Sequence, residues 1–232
     1  MNPFYIVFSG HICAGKDTLI EELRKRGKLE DLDTVHYLTE AVNHDKDVLD
    51  AFYENMKDRG IFFDIATLGL RLTLGHSIND RRGIILGNRN VVEARETFVM
   101  HNFDNGLLSQ PDLDLYDKIF KRGIEGKAVT SPDLVFFLDV PDVDILIERQ
   151  KQRADSGEGK LNPEYLRELA PYFTGYKDKF KEAHEKWTLK VPRLEVLDAS
   201  QESSLLADKC EQVINEMFRN RNGWWSKNIK FR

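Results

Sequence analysis

The chain of 232 residues carries 34 lysines and arginines against 39 aspartates and glutamates, a formal net charge of −5, with 41% hydrophobic and 31% charged residues. That balance fits a globular α/β protein and excludes a global basic field for nucleic acid, so any bound anion is left to local groups. Cys13 and Cys210 make neither a CxxC pair nor a disulfide framework, and the histidines show no metal-ligand spacing. No basic-then-apolar leader and no span-like segment is read. A cytoplasmic domain over 1–232, without nucleic-acid or membrane partners, is the expectation.

Taken in order, the apolar run FYIVF at positions 4–8 predicts a buried strand running into a turn at Ser9-Gly10. A helix follows from Thr18 and stops near Gly27. Residues 35–38 predict a second strand, and 45–58 and 62–77 predict helices. Residues 83–87 predict a third strand, with helices over 91–105 and 112–121. The run DLVFFLDV at 133–140 is the strongest strand pattern, ended by Pro141 and followed by a helix over 142–153. A polar, glycine-containing stretch over 154–160 precedes a long helical pattern over 163–187. A fifth strand at 194–197 and a helix over 202–219 complete the reading. Strands alternating with helices predict a parallel sheet covered on both faces, with a ligand beyond the carboxyl ends of its strands. The tail at 221–232, with Trp224, Trp225 and Phe231, reads as a segment docked on the domain or on a partner.

The segment Gly10-His11-Ile12-Cys13-Ala14-Gly15-Lys16-Asp17-Thr18 carries the chemistry. Two glycines bracket four residues and a lysine follows, the spacing of a phosphate-binding loop between a strand and a helix. Glycines let the backbone curl with its N–H groups inward, and the helix start completes an anion site. Lys16 adds a mobile positive charge for the outer phosphates. The position after the lysine, where such loops offer a hydroxyl to magnesium, holds Asp17, with Thr18 next. Asp17 either reaches magnesium, directly or through water, or is an acid favoured by the helix dipole. Cys13 reads as a small packing residue.

Further along, the chain resembles the deoxynucleoside kinase family, over residues 4–200. The motifs are several, in the family's order. Leu38-Thr39-Glu40-Ala41-Val42 resembles the E-P-V segment, with Ala41 in place of proline. The resemblance makes Glu40 the general base that takes the proton of the sugar 5′-hydroxyl. A carboxylate suits that task, and it repels a phosphate already on the sugar. Tyr53, Asp64 and Arg71 fall at the spacing of the substrate pocket. Tyr53 resembles the tyrosine on the sugar 3′-hydroxyl, and Arg71 the pocket arginine. Asp64 replaces a glutamine whose amide reads the base edge; an ionised carboxylate only accepts. It accepts from the base, with a slight lean to a purine, or pairs with Arg71 on the same helix face.

Leu86-Gly87-Asn88-Arg89-Asn90 occupies the place of the family's E-R-S or D-R-S. Arg89 fits the arginine that holds the 5′-hydroxyl and phosphoryl oxygens. Asn88 replaces the acid near magnesium, and Asp17 is the candidate that restores the missing charge. Arg95, Phe98 and Asn105-Gly106-Leu107-Leu108 continue the pattern, while Ala94 stands where several members carry a base-pocket aspartate. Arg149 and Arg153 share a helix face before the polar stretch and resemble the lid arginines that close on the donor phosphates. Glu158 resembles the lid glutamate on the sugar 3′-hydroxyl, and residues 196–201 the loop at the donor adenine.

The resemblance therefore implies a P-loop NTPase fold with a five-stranded parallel sheet, flanking helices, an arginine-bearing lid at about 149–160 and a C-terminal tail at about 221–232. It implies a kinase that phosphorylates a deoxyribonucleoside with ATP and magnesium, acting as a homodimer. A nucleoside monophosphate kinase, or a noncatalytic accessory subunit of the same fold, is the alternative.

Overall fold

The computed structural model describes residues 2–38, 56–155, 162–187 and 189–228, with backbone alone for 56–59, 153–155 and 222–228. Five parallel strands form one sheet in the order β2-β3-β1-β4-β5. These are β1 (Phe4–Gly10), β2 (Val35–Tyr37), β3 (Ile84–Asn88), β4 (Leu134–Asp139) and β5 (Arg193–Asp198). In β1 the register alternates cleanly. Phe4, Ile6 and Phe8 enter one core with α1 (Lys16–Arg26), α6 (Val143–Asp155) and α9 (Ser203–Asn228). Tyr5 and Val7 enter the opposite core with α2 (Met56–Asn79), α5 (Gln110–Glu125) and α7 (Pro163–Asp178). Strands buried on both faces explain why the runs at 4–8 and 134–138 read as continuously apolar.

The α1 helix ends where expected. Gly27 takes the left-handed conformation at φ 63° and closes the last turn on the Leu23 carbonyl. The helix expected over 91–105 is not uniform. It is α3 (Val91–Ala94), a π-helical turn (Arg95–Val99) and α4 (Met100–Asp104). The Thr97 hydroxyl donates to the Glu93 carbonyl at 2.7 Å at this turn, a side chain competing with the helical ladder. The pattern over 163–187 also divides, into α7 and α8 (Phe180–Glu185), at Lys179. The turn there lets Phe180 fold inward, leaving it 5% exposed. The last helix runs well beyond 219, to Asn228, so the backbone of the tail is largely helical. Arg221 ties it back by donating to the carbonyls of Asn2 and Pro3. The helix expected over 45–58 and the lid stretch at 156–161 lie outside the described residues, apart from the start of α2.

One helix segment, Gly60–Asn79, is long and apolar enough to cross a membrane, with mean hydropathy 1.2, although no such segment is read from the sequence. It carries Asp64 and Arg71, both costly in hydrocarbon. The helix packs closely at two glycines, Gly123 of α5 and its own Gly75 against the segment that follows α5. A Cβ at Gly123 would meet the Leu72 side chain at 2.5 Å, and one at Gly75 would overlap the Ala128 carbonyl oxygen. Backbone cannot yield as a side chain does, so Gly75→Ala is expected to cost about 1–3 kcal/mol or more by overpacking. Urea unfolding that leaves the midpoint unchanged would contradict this packing.

Candidate functional site

The loop leaving β1 is shaped by three residues with positive φ, Gly10 at 121°, Cys13 at 63° and Gly15 at 97°. Gly10 has no room for a side chain, since a Cβ would stand 2.5 Å from the Leu138 carbonyl oxygen on β4. Gly15 caps α1 without a side-chain hydrogen bond, so the helix start is open to an anion. Lys16 is buried and folds back over the loop, its Nζ donating to the carbonyls of Gly10 at 3.1 Å and His11 at 2.7 Å. His11 is buried too, its Nε2 lying 2.9 Å from the Leu166 carbonyl of α7. Burial first, then the charges of Lys16 and Arg89, push its pKa down to about 4, so the imidazole is neutral at physiological pH.

Asp17 and Asn88 meet, the Asn88 Nδ2 donating to the Asp17 Oδ1 at 2.7 Å. The amide oxygen of Asn88, its Oδ1, is buried without a partner among the described residues. Asp17 and Thr18 are exposed. Asp17 and Asn88 therefore bring two oxygen-bearing side chains together at the helix start, donors that suit a hard divalent cation such as magnesium.

Arg89 sits at the end of β3 with φ 60°. Its guanidinium lies over the rings of Phe98, at 4.8 Å, and Phe173, at 5.4 Å. It donates to the Gly10 carbonyl at 3.1 Å and to Glu93 Oε1 at 2.8 Å. Arg149 reaches the loop from α6, donating to the Ala14 carbonyl at 3.3 Å and to the Ala199 carbonyl, after β5, at 2.7 Å. Arg153 follows on the same helix, and its side chain lies outside the described residues. Glu40, Tyr53 and Glu158 lie outside them as well.

A second cluster lies on α2. Asp64 is 2% exposed, and its Oδ2 accepts from the Asn102 Nδ2 at 2.9 Å. Burial pushes its pKa up to about 7, opposed by the Asn102 hydrogen bond and by the charge of Arg71. Near neutrality the carboxyl is divided between both forms, and the protonated form donates as well. Arg71 also acts on Tyr5 and Tyr116, buried phenols that desolvation holds well above their usual range. Tyr5 feels Glu93 too, so it stands electrostatically between this cluster and the phosphate loop.

Glu93 and Asn102 escaped the sequence reading. Glu93 had one signal, its position one helical turn after Arg89. Asn102 had none, because only the fold brings it to Asp64. Arg95 is committed to structure, its Nε and Nη2 donating to the two carboxylate oxygens of Asp117 on α5.

The raised pKa of Asp64 carries a sign. Below its ordinary 3.8 the carboxyl is protonated in both states; between there and about 7 the folded chain alone keeps the proton. Stability from this group is therefore lost as pH rises through about 7. Asp64→Asn is expected to flatten the melting-temperature profile between about pH 5 and pH 8, removing a dependence on the order of a few kcal/mol over the whole window. Parallel profiles for both proteins would contradict the burial argument.

The family model described as deoxynucleoside kinase matches residues 6–220. None of the curated proteins matches the chain. Among solved structures, deoxyadenosine kinase from M. mycoides with bound dCTP is 21% identical with a TM-score of 0.71, covering 91% of this chain and 99% of that one. The same enzyme with bound dATP is 22% identical with a TM-score of 0.71, covering 90% and 98%. With products dCMP and a flexible dCDP bound, it is 22% identical with a TM-score of 0.72, covering 91% and 99%. At these identities the likeness is one of fold.

Proposed function

The chain belongs to the deoxynucleoside kinase family, and from that premise we propose that it transfers the γ-phosphoryl group of ATP to the 5′-hydroxyl of a deoxyribonucleoside. The observation that supports this most is the convergence of Lys16, Arg89 and Arg149 on the loop of residues 10–16, beside an uncapped helix start. Phosphoryl transfer needs little covalent help from the protein. It needs the donor held and spread negative charge met by fixed positive groups. The loop N–H groups, with Thr18 and Lys16, hold the phosphates. Arg89 and the lid arginines Arg149 and Arg153 meet the transferred group. Glu40 takes the hydroxyl proton, and Tyr53 and Glu158 hold the sugar.

Asp64, Asn102 and Arg71 read the base. A carboxyl near its midpoint offers both a donor and an acceptor, as an amide does. The lean to a purine stands beside neighbours named deoxyadenosine kinase, although two of the three structures have cytosine nucleotides bound. A homodimer is supported by Phe62 and Leu70 on α2 and Leu115 on α5, large apolar side chains left 75%, 41% and 48% exposed on two helices packed together.

Magnesium fits the oxygen donors of Asp17 and Asn88. When bound it neutralises charge on the donor phosphates. Asp17 supplies the charge that Asn88 lacks. Asp17→Asn keeps an acceptor for the Asn88 amide and removes that charge. It is expected to raise the magnesium concentration for half-maximal tightening of ATP binding by about tenfold, roughly 1.4 kcal/mol. Calorimetric titration showing the same magnesium dependence as the unaltered protein would remove Asp17 from the site.

A steady-state screen of deoxynucleosides and their monophosphates with magnesium and ATP separates the readings. Turnover of at least one deoxynucleoside is expected, with purines ahead. Turnover of monophosphates alone would favour a monophosphate kinase. A folded protein inert on all of them would favour the accessory subunit.

A further inference from the structure

We infer that Glu93 is a positioning residue for phosphoryl transfer, holding the first peptide of the phosphate loop and the Arg89 guanidinium in one closed hydrogen-bonded ring. The inference rests on the proposed reaction, but its geometry stands apart from it. The Glu93 Oε1 accepts from the Gly10 N–H at 3.2 Å and from the Arg89 Nη1 at 2.8 Å. The same Arg89 Nη1 donates to the Gly10 carbonyl at 3.1 Å. The ring therefore uses both ends of the Gly10 residue, and Lys16 joins it at the same carbonyl.

The side chain is aimed by its own backbone. Asn90 caps α3 by accepting from the Glu93 N–H at 2.8 Å, and the Thr97 hydroxyl donates to the Glu93 carbonyl at the π-helical turn. Such irregular helical turns recur at functional sites. Glu93 has no solvent exposure at all, and its Oε2 has no partner among the described residues. A buried carboxylate with one oxygen unsatisfied is a poor way to stabilise a core, where an apolar side chain of similar volume serves as well or better. What Glu93 does that an apolar residue cannot is fix two donors relative to each other. One belongs to the loop that holds the phosphates, and the other to the arginine that meets the group in transfer. Misplacement of such groups by a fraction of an ångström is costly to rate.

Glu93→Gln keeps an acceptor for both donors and removes the charge. Glu93→Asp keeps the charge and shortens the reach. Both are expected to lower kcat by about tenfold to a hundredfold, to leave the KM of the deoxynucleoside within about threefold, and to weaken ATP binding several-fold by calorimetry. The deciding readout is a double-mutant cycle with Arg89→Met. If Glu93 acts through Arg89, Glu93→Gln lowers kcat little further in that background. An undiminished loss there, or an unaltered kcat in Glu93→Gln, would overturn the inference. Should Glu93→Gln fail to fold, Glu93→Asp decides by the same cycle. A wild-type protein that binds ATP but turns over no nucleoside would sink the proposed reaction instead, and Glu93 would then be judged on ATP affinity alone. Unchanged affinity in both variants would overturn it.

Discussion

The residue on which the site depends is Gly10. It is the last residue of β1, pressed against the Leu138 carbonyl of β4 so closely that no side chain fits. Its carbonyl receives the charged donors of Lys16 and Arg89, and its N–H is taken by Glu93. Sheet, phosphate loop, β3 and α3 are thus joined at one residue. Charge-assisted hydrogen bonds in a buried setting are strong, and they are directional. A side chain here would displace the strand pair and the loop together.

From that point the rest of the architecture acquires its purpose. The parallel sheet brings the ends of β1 and β3 side by side, with Phe8 in register with Asn88. That register sets Asn88 against Asp17 and Arg89 against Gly10. The Arg89 guanidinium rests against the rings of Phe98 and Phe173, so its reach is defined by packing as well as by hydrogen bonds. Arg149 closes the other side, linking the loop to the turn after β5.

Much of this was legible in the sequence, for physical reasons. Strands buried on both faces leave long apolar runs, and a phosphate loop requires glycines at set places, so β1, β4 and residues 10–16 could be read directly. The pairing of Asp17 with Asn88 could be anticipated because two departures from one chemical requirement point at each other. The π-helical turn at Arg95–Val99 could not be read, since a single widened turn leaves no mark on the apolar periodicity around it. Nor could the titration of Asp64, because its burial beside Asn102 arises from helices distant in the chain. In the sequence Glu93 shows only as an acid in the first turn of a helix, a placement the dipole ordinarily explains.

The proposed reaction requires that phosphate move from ATP to a nucleoside oxygen. Incubation with magnesium, ATP and a deoxynucleoside, followed by phosphorus NMR, measures that transfer directly. ADP and a 5′-monophosphate are expected in equal amounts, with no inorganic phosphate. ATP consumed to ADP and free phosphate, with the nucleoside intact, would contradict it.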